Sequence, residues 1–382
     1  MENEKKIDVE TKDETKIENV DQNMKNTLEK VEDDLFWIDP RQSRDVRVLG
    51  FNWFNEDKTY RRFALKYQNV IESISEPLNI LVGNTAGGAI AFYSDTNILK
   101  IKVKLSHKFL MSHMAYTGQA GFDLYIGSEP SDLKFYRSST FNFKNDEYEF
   151  TFFSNLSGGH LLVLNFPLYA SVSEVLIGIN KKASVLPAHN YQDKGKIVFY
   201  GTSITQGGCA SRPGMAYPAI VGRKLGYECL NFGFSGNGFG EKEIAQLLAQ
   251  IENVKLFVLD YEGNASGPDL KLEKTLVTFI EQLRTFNPTV PILVLSKITT
   301  CFDAFYEEGA QLKKRLNEFQ RKTVAKFHKN DPYIYFYDGG ELLKDIGFEG
   351  TVDGVHPNDL GFYEMARKLT PVIKFILDKQ KG

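Results

Sequence analysis

Lys196-Ile197-Val198-Phe199-Tyr200-Gly201-Thr202-Ser203-Ile204-Thr205-Gln206-Gly207-Gly208 runs from an unbroken apolar stretch straight into a glycine-flanked turn. Four consecutive apolar residues bounded by turn formers read as a strand buried on both faces, the kind found in parallel sheets. The same unit recurs downstream. Apolar runs at Cys229–Phe234, Leu256–Leu259, Ile292–Leu295 and Tyr333–Tyr337 alternate with helical patterns near 215–225, 241–252, 270–286, 306–328 and 359–379. Five β/α repeats predict a parallel sheet covered by helices on both faces, a flavodoxin-like three-layer α/β/α arrangement. In such a sheet the ligand crevice lies beyond the carboxyl ends of the strands, so the residues just after each run carry the functional argument.

Upstream of Lys196 the period changes from helical to two. Leu99, Ile101, Val103 and Leu105 alternate with Lys100, Lys102 and Lys104, which predicts a strand with one wet face. Comparable stretches at Gly88–Tyr93, Gly121–Gly127, Tyr148–Phe153, His160–Phe166 and Val172–Ile179, with no convincing long amphipathic helix, predict an antiparallel β-sandwich of jelly-roll type. The Pro- and Gly-containing segment 180–195 reads as a linker. The chain therefore divides into an acidic arm over 1–35, expected to be disordered, a sandwich over 36–185 and an α/β unit over 186–382.

The charge balance excludes several functions. Twelve acidic residues against six lysines crowd residues 1–34, whereas the net charge of the whole chain is only −3. A nearly neutral body offers no electrostatic footprint for nucleic acid or anionic lipid. No run of 18 or more apolar residues predicts a membrane span. Cys209, Cys229 and Cys301 are too scattered for a disulfide framework, and they fit a reducing, cytoplasmic setting. His107, His113, His160, His189 and His328 show no metal-ligand spacing, so neither a metal nor another cofactor is expected.

The strand ends hold a coherent set of chemical groups. After the first run Ser203 sits on a tight turn, where its hydroxyl either caps a helix or faces the crevice. The missing G-K-[ST] ending argues against a phosphate loop. Gly233-Phe234-Ser235-Gly236-Asn237-Gly238-Phe239-Gly240 follows the second run and can turn backbone N–H groups toward an anion. The third run ends in Asp260-Tyr261-Glu262-Gly263-Asn264, with a side-chain amide in reach. Past the fifth stands Asp353-Gly354-Val355-His356-Pro357, where a carboxylate three residues before an imidazole can fix its tautomer. Nucleophile, base, orienter and oxyanion donors together are what acyl transfer requires.

These blocks resemble, in order, those of the SGNH (GDSL-type) hydrolases, over roughly 196–382. Gly121-Phe122-Asp123-Leu124-Tyr125 resembles the G-x-D-L-Y signature of a β-rich domain preceding the hydrolase in one subgroup. The resemblance implies Ser203 as nucleophile, His356 as base and Asp353 as its orienter. It also implies an oxyanion hole from the Ser203 and Gly236 N–H groups and the Asn264 side chain. Thr202 replaces the aspartate of G-D-S, and Asn264 comes from D-x-x-x-N rather than G-x-N-D; both are supporting positions.

The expected reaction is hydrolysis of short-chain esters through an acyl-serine, with O-acetyl groups on a carbohydrate or glycoside as first choice. An acyltransferase using the same triad and a carbohydrate-binding module with a dead triad are the rival expectations. Long-chain lipids are disfavoured because no apolar flap is apparent. Arg212 is a candidate substrate contact. Trp53, Phe54, Tyr60, Tyr93, Tyr116 and Tyr125 are candidates for a sugar-stacking surface, and homo-oligomerisation is left open.

Overall fold

A computed structural model describes residues 17–24, 34–269 and 271–380. Of the expected acidic arm, residues 17–24, 34 and 35 are described, with 3-10 turns at Ile17–Asn19 and Gln22–Met24; the rest lies outside the described residues. Among the described residues no helix is long and apolar enough to cross a membrane.

Two antiparallel sheets form first. Strands β1 (Leu35–Ile38), β2 (Arg47–Leu49), β3 (Ala89–Ser94), β4 (Ile98–Lys108), β5 (Asp123–Gly127), β6 (Lys134–Ser138), β7 (Glu147–Ser154), β8 (His160–Asn165), β9 (Ala170–Asn180) and β10 (Val185–Pro187) follow in chain order. One sheet runs β1-β9-β4-β7; the other runs β10-β3-β8-β5-β6, with β2 beside β3. The alternation in β4 explains its placement. Leu99, Ile101, Val103 and Leu105 are buried, whereas Lys102 and Lys104 pair across the wet face with Glu149 and Glu147. The inner faces share a core that includes Ile90, Phe92, Ile101, Phe122, Phe150, Phe152, Leu164 and Ile177.

The second architecture is the expected parallel sheet. Strands β11 (Lys196–Gly201), β12 (Glu228–Gly233), β13 (Val254–Asp260), β14 (Ile292–Leu295) and β15 (Ile334–Tyr337) lie in the order β12-β11-β13-β14-β15, all pairs parallel. This order places β11 between β12 and β13, at the point where the winding direction reverses and a crevice opens. Each strand feeds both faces: Val198 and Tyr200 pack with the helices Lys242–Ala249, Lys271–Phe286 and Glu307–His328, and Ile197 and Phe199 with Tyr217–Leu225 and Asp359–Asp378. The helix Lys271–Phe286 illustrates the cause. Its buried residues Leu272, Leu276, Phe279, Ile280 and Leu283 recur at the spacing of one helical face.

One departure from the sequence expectation matters for the site. Between β2 and β3 lie the helices Gln68–Ile74 and Glu76–Val82, where no helix was expected. Ser75 caps the second through the Leu78 N–H, with Pro77 in its first turn. Their apolar residues Ile71, Leu78, Leu81 and Val82, with Trp53 and Phe63, pack against Phe232 and Phe234 of the parallel-sheet core rather than into the sandwich. Seven-residue helices give too few turns for a period to show in sequence.

Candidate active site

Ser203 follows β11 directly, as the first residue of the four-residue helix Ser203–Gln206. Thr202 caps that helix by accepting the Ile204 N–H. Gly201 has no alternative here, because a Cβ would lie 2.0 Å from Thr205 Oγ1 and 2.6 Å from the Asp260 carbonyl oxygen. Gly207, at φ +110°, ends the turn.

The expected base, His356, arrives from the far end of the chain. His356 Nε2 lies 3.0 Å from Ser203 Oγ, and His356 Nδ1 lies 2.7 Å from Asp353 Oδ2. Asp353 Oδ1 accepts the N–H groups of Val355 and His356, so the carboxylate and imidazole are locked into one turn. Partial burial works against the charge on Asp353, but these two N–H groups and the imidazole outweigh it and hold the carboxyl below its ordinary value. Gly354 adopts φ +82° to let the turn close, and Asn358 caps the helix that follows by accepting the Gly361 N–H.

The three expected oxyanion donors, Ser203, Gly236 and Asn264, follow the carboxyl ends of β11, β12 and β13. Ser203 occupies the first position of its helix, where an N–H has no intrahelical acceptor. Gly236 turns at φ +66°, and no other residue approaches the place its Cβ would occupy. Asn264 donates one amide hydrogen to the Phe234 carbonyl at 3.1 Å, which orients the side chain and leaves its second hydrogen for a ligand. Beneath them Asp260 accepts the hydroxyls of Thr205 and Tyr217 at 2.9 and 2.8 Å, tying the β13 end to the nucleophile turn.

Some anchors had no signal in the sequence. Gln206 is fully buried, receives the Ser235 N–H and donates to Asn84 and the Leu168 carbonyl, so it joins the nucleophile turn, the Gly236 loop and the sandwich. Arg62, 1% exposed, donates to the carbonyls of Asn231, Gly233 and Leu81 and stacks over Phe234. From the sandwich side, His113 reaches His356 with ring centroids 5.9 Å apart. No metal-ligand spacing marks His113 in sequence, yet its ring nitrogen, Cys209 Sγ and a ring nitrogen of His356 all fall within 4.8 Å of one another.

Arg212, the candidate substrate contact, is engaged by the sandwich. Its guanidinium pairs with the fully buried Asp123 at 3.0 Å, donates to the Tyr125 hydroxyl at 2.6 Å and lies over the Phe135 ring. Four of the six candidate stacking aromatics, Trp53, Phe54, Tyr60 and Tyr125, are core residues, whereas Tyr116 is exposed and stacked on Phe143. Cys209 is buried beside the turn at φ +75°, and burial, reinforced by the nearby Asp353 charge, pushes its thiol up to about 12. It is therefore held as the thiol, the poorly nucleophilic form of cysteine.

Comparison with known proteins identifies the family of the chain. Residues 194–374 match the GDSL-like lipase/acylhydrolase family, and residues 35–185 match the GxDLY family, the N-terminal region of SGNH-hydrolase-type esterases. A solved protein of Bacteroides ovatus ATCC 8483, named for its likeness to GDSL lipases, is 30% identical with a TM-score of 0.81, covering 90% of this chain and 98% of its own. The salicylyl-acyltransferase SsfX3 of a tetracycline biosynthetic pathway shares the fold at 16% identity and TM-score 0.75, over 90% and 97% of the two chains. So does a family two carbohydrate esterase from Clostridium thermocellum, at 18% and 0.56 over 77% and 93%. No curated protein sequence matches the chain. The chain belongs to the GDSL-like (SGNH) hydrolase family, and its class is that of a carboxylic ester hydrolase.

Proposed function

We propose that Ser203, His356 and Asp353 act as a catalytic triad hydrolysing short-chain esters, with O-acetyl groups on a carbohydrate or glycoside as the substrate class. The observation that carries this reading is the 3.0 Å contact from Ser203 Oγ to His356 Nε2, continued at 2.7 Å to Asp353. His356 takes the Ser203 proton as Oγ attacks the ester carbonyl, and Asp353 stabilises the imidazolium that forms. The oxyanion sits among the N–H groups of Ser203 and Gly236 and the Asn264 amide. His356 returns the proton to the leaving alcohol, and water then releases the acid by the same steps in reverse roles.

One observation favours a second substrate reading. An apolar groove lined by Pro77, Ile80, Leu81, Phe109, Leu110 and Met111 opens beside Ser235 and Asn237, and Leu110 is 73% exposed. This is the apolar flank that the sequence did not reveal, and it fits an aryl or medium-chain group.

A panel of acetylated sugars and p-nitrophenyl esters of rising chain length tests both readings. Wild-type protein is expected to turn over acetyl esters, and Ser203→Ala to lose turnover and labelling by a fluorophosphonate. Ser203→Ala retaining wild-type turnover refutes the triad. A preference for aryl or longer acyl esters replaces the first substrate class with the second, and faster breakdown of the acyl-enzyme by added sugars than by water makes the protein a transferase.

A further inference from the structure

We propose that the mouth of the triad is a binding site for a borderline-soft divalent cation such as Zn2+, formed by His113, Cys209 and His356, and that occupation of this site switches the esterase off. Two imidazoles and a thiol are the donor set of zinc rather than of magnesium or calcium, which take oxygen ligands. Zinc–nitrogen and zinc–sulfur bonds of about 2.0–2.3 Å in a tetrahedron separate the donors by roughly 3.3–3.6 Å. The donor atoms here already lie within 4.8 Å of one another, and His113, on the exposed side, has the freedom to close the remaining distance.

The three donors are held from different directions. Asp353 accepts from His356 Nδ1, so Nε2 is the nitrogen turned toward the cluster, and a carboxylate behind a ligating imidazole is the usual support of a metal-bound histidine. The loop carrying His113 is not a loose flap. Buried Gln119 accepts the Met111 N–H and donates to the carbonyls of Met111 and Met114, clamping both sides of His113. That loop is stitched to the Cys209 turn. Thr117 donates to the Ser211 carbonyl, and the backbones at Gly118 and Ala210 approach so closely that a Cβ on Gly118 would lie 2.1 Å from the Ala210 oxygen.

Binding displaces the Cys209 thiol proton to solvent and takes the lone pair of His356 Nε2. With that lone pair coordinated, the imidazole cannot accept the Ser203 proton, and acylation stops. A water or Ser203 Oγ fills the fourth position. The inhibitory half of the proposal rests on His356 being the base of Ser203; the binding half does not.

The full-length protein, stripped with EDTA, is titrated with ZnCl2 during p-nitrophenyl acetate hydrolysis, and separately with CoCl2 while its absorption is recorded. Saturable inhibition reversed by EDTA is expected, with no effect of Mg2+, together with a thiolate-to-cobalt charge-transfer band in the near ultraviolet. His113→Ala and Cys209→Ala should keep the metal-free activity and need at least about tenfold more Zn2+ for half-inhibition, and Cys209→Ala should lose the band. Ser203→Ala should keep the band, which separates failure of the metal site from failure of the triad reading. Absence of the band in wild type, or equal inhibition of wild type and both variants, overturns the site. Cobalt binding without loss of activity overturns the switch.

Discussion

Replacing Asp260 with Asn should flatten a pH dependence of stability that the structure places in one carboxyl group. Burial pushes the Asp260 carboxyl up to about 7 from an ordinary 3.8, with the Glu262 charge adding to the rise and the hydroxyls of Tyr217 and Thr205 opposing it. Between these two values the folded protein holds a proton that the unfolded chain has released. Stability from this group is therefore complete below about pH 4, falls as pH rises through about 7 and is level above that. A difference of about 3 pH units at 1.36 kcal/mol each gives roughly 4 kcal/mol, and residual solvent access to the group reduces the expected loss to about 2–4 kcal/mol. Asparagine stays neutral throughout. Its Oδ1 can accept both hydroxyls that now meet Asp260 Oδ2, so the anchor between β13 and the nucleophile turn survives. Urea unfolding at several values from pH 4 to pH 8 measures the effect through the fluorescence of buried Trp53, which packs on Phe63 and Phe232. The difference between variant and wild type cancels the titration of groups that do not interact with Asp260, leaving Glu262 as the coupled neighbour. That difference should move toward the variant by about 2–4 kcal/mol across that range. Parallel profiles, constant to within about 0.5 kcal/mol, would show that Asp260 is ionised in the folded protein at low pH and would refute the reasoning.

Two further substitutions separate chemistry from architecture. Asn264→Ala removes one oxyanion donor and should lower kcat roughly 10²–10³-fold on p-nitrophenyl acetate with little change in KM; a loss below tenfold would place the oxyanion elsewhere. Asp123→Ala leaves Arg212 without its buried partner and should cost about 3–5 kcal/mol in urea unfolding. Arg212→Met should lower stability while leaving KM unchanged, and a marked rise in KM would return Arg212 to the substrate.

The legible part of this molecule is the part built on local repetition. The strand runs beginning near Ile197, Cys229, Leu256 and Ile292 are buried on both faces, so their apolar character is continuous; the run at Tyr333 is a half-buried edge strand, and the ends of all five fall within a few residues of the expected ones. The residues at their carboxyl ends were legible for the same reason, since a parallel sheet delivers all strand ends to one edge. What sequence hides is pairing across distance. Arg212 reads in sequence as a candidate substrate contact, because its partner lies 89 residues upstream, inside β5. His113 carried no signal because its neighbours, Cys209 and His356, belong to loops that only the tertiary fold brings together. Gln206 and Arg62 are polar residues in a core, and no periodicity marks a polar side chain whose burial is compensated by specific hydrogen bonds.

The G-x-D-L-Y stretch gains a physical meaning from these contacts. Asp123, with no exposed surface, accepts the Asn165 amide inside the sandwich and, on its other oxygen, the Arg212 guanidinium and the Gly214 N–H of the loop beyond Ser203. Gly214 must be glycine because a Cβ would lie 2.6 Å from the Tyr125 ring and 2.8 Å from that carboxylate. One buried anion thus satisfies donors from both halves of the chain, and a buried anion is tolerated only while all of its partners remain in place. Thr117 on Ser211, Gln206 on Asn84 and Arg62 on the β12 carbonyls repeat the pattern from three other directions. The turn that presents Ser203 is therefore held as much by the sandwich as by the strand that leads into it. The position of Ser203 relative to His356, whose turn is closed by local contacts of its own, depends on the two architectures staying docked.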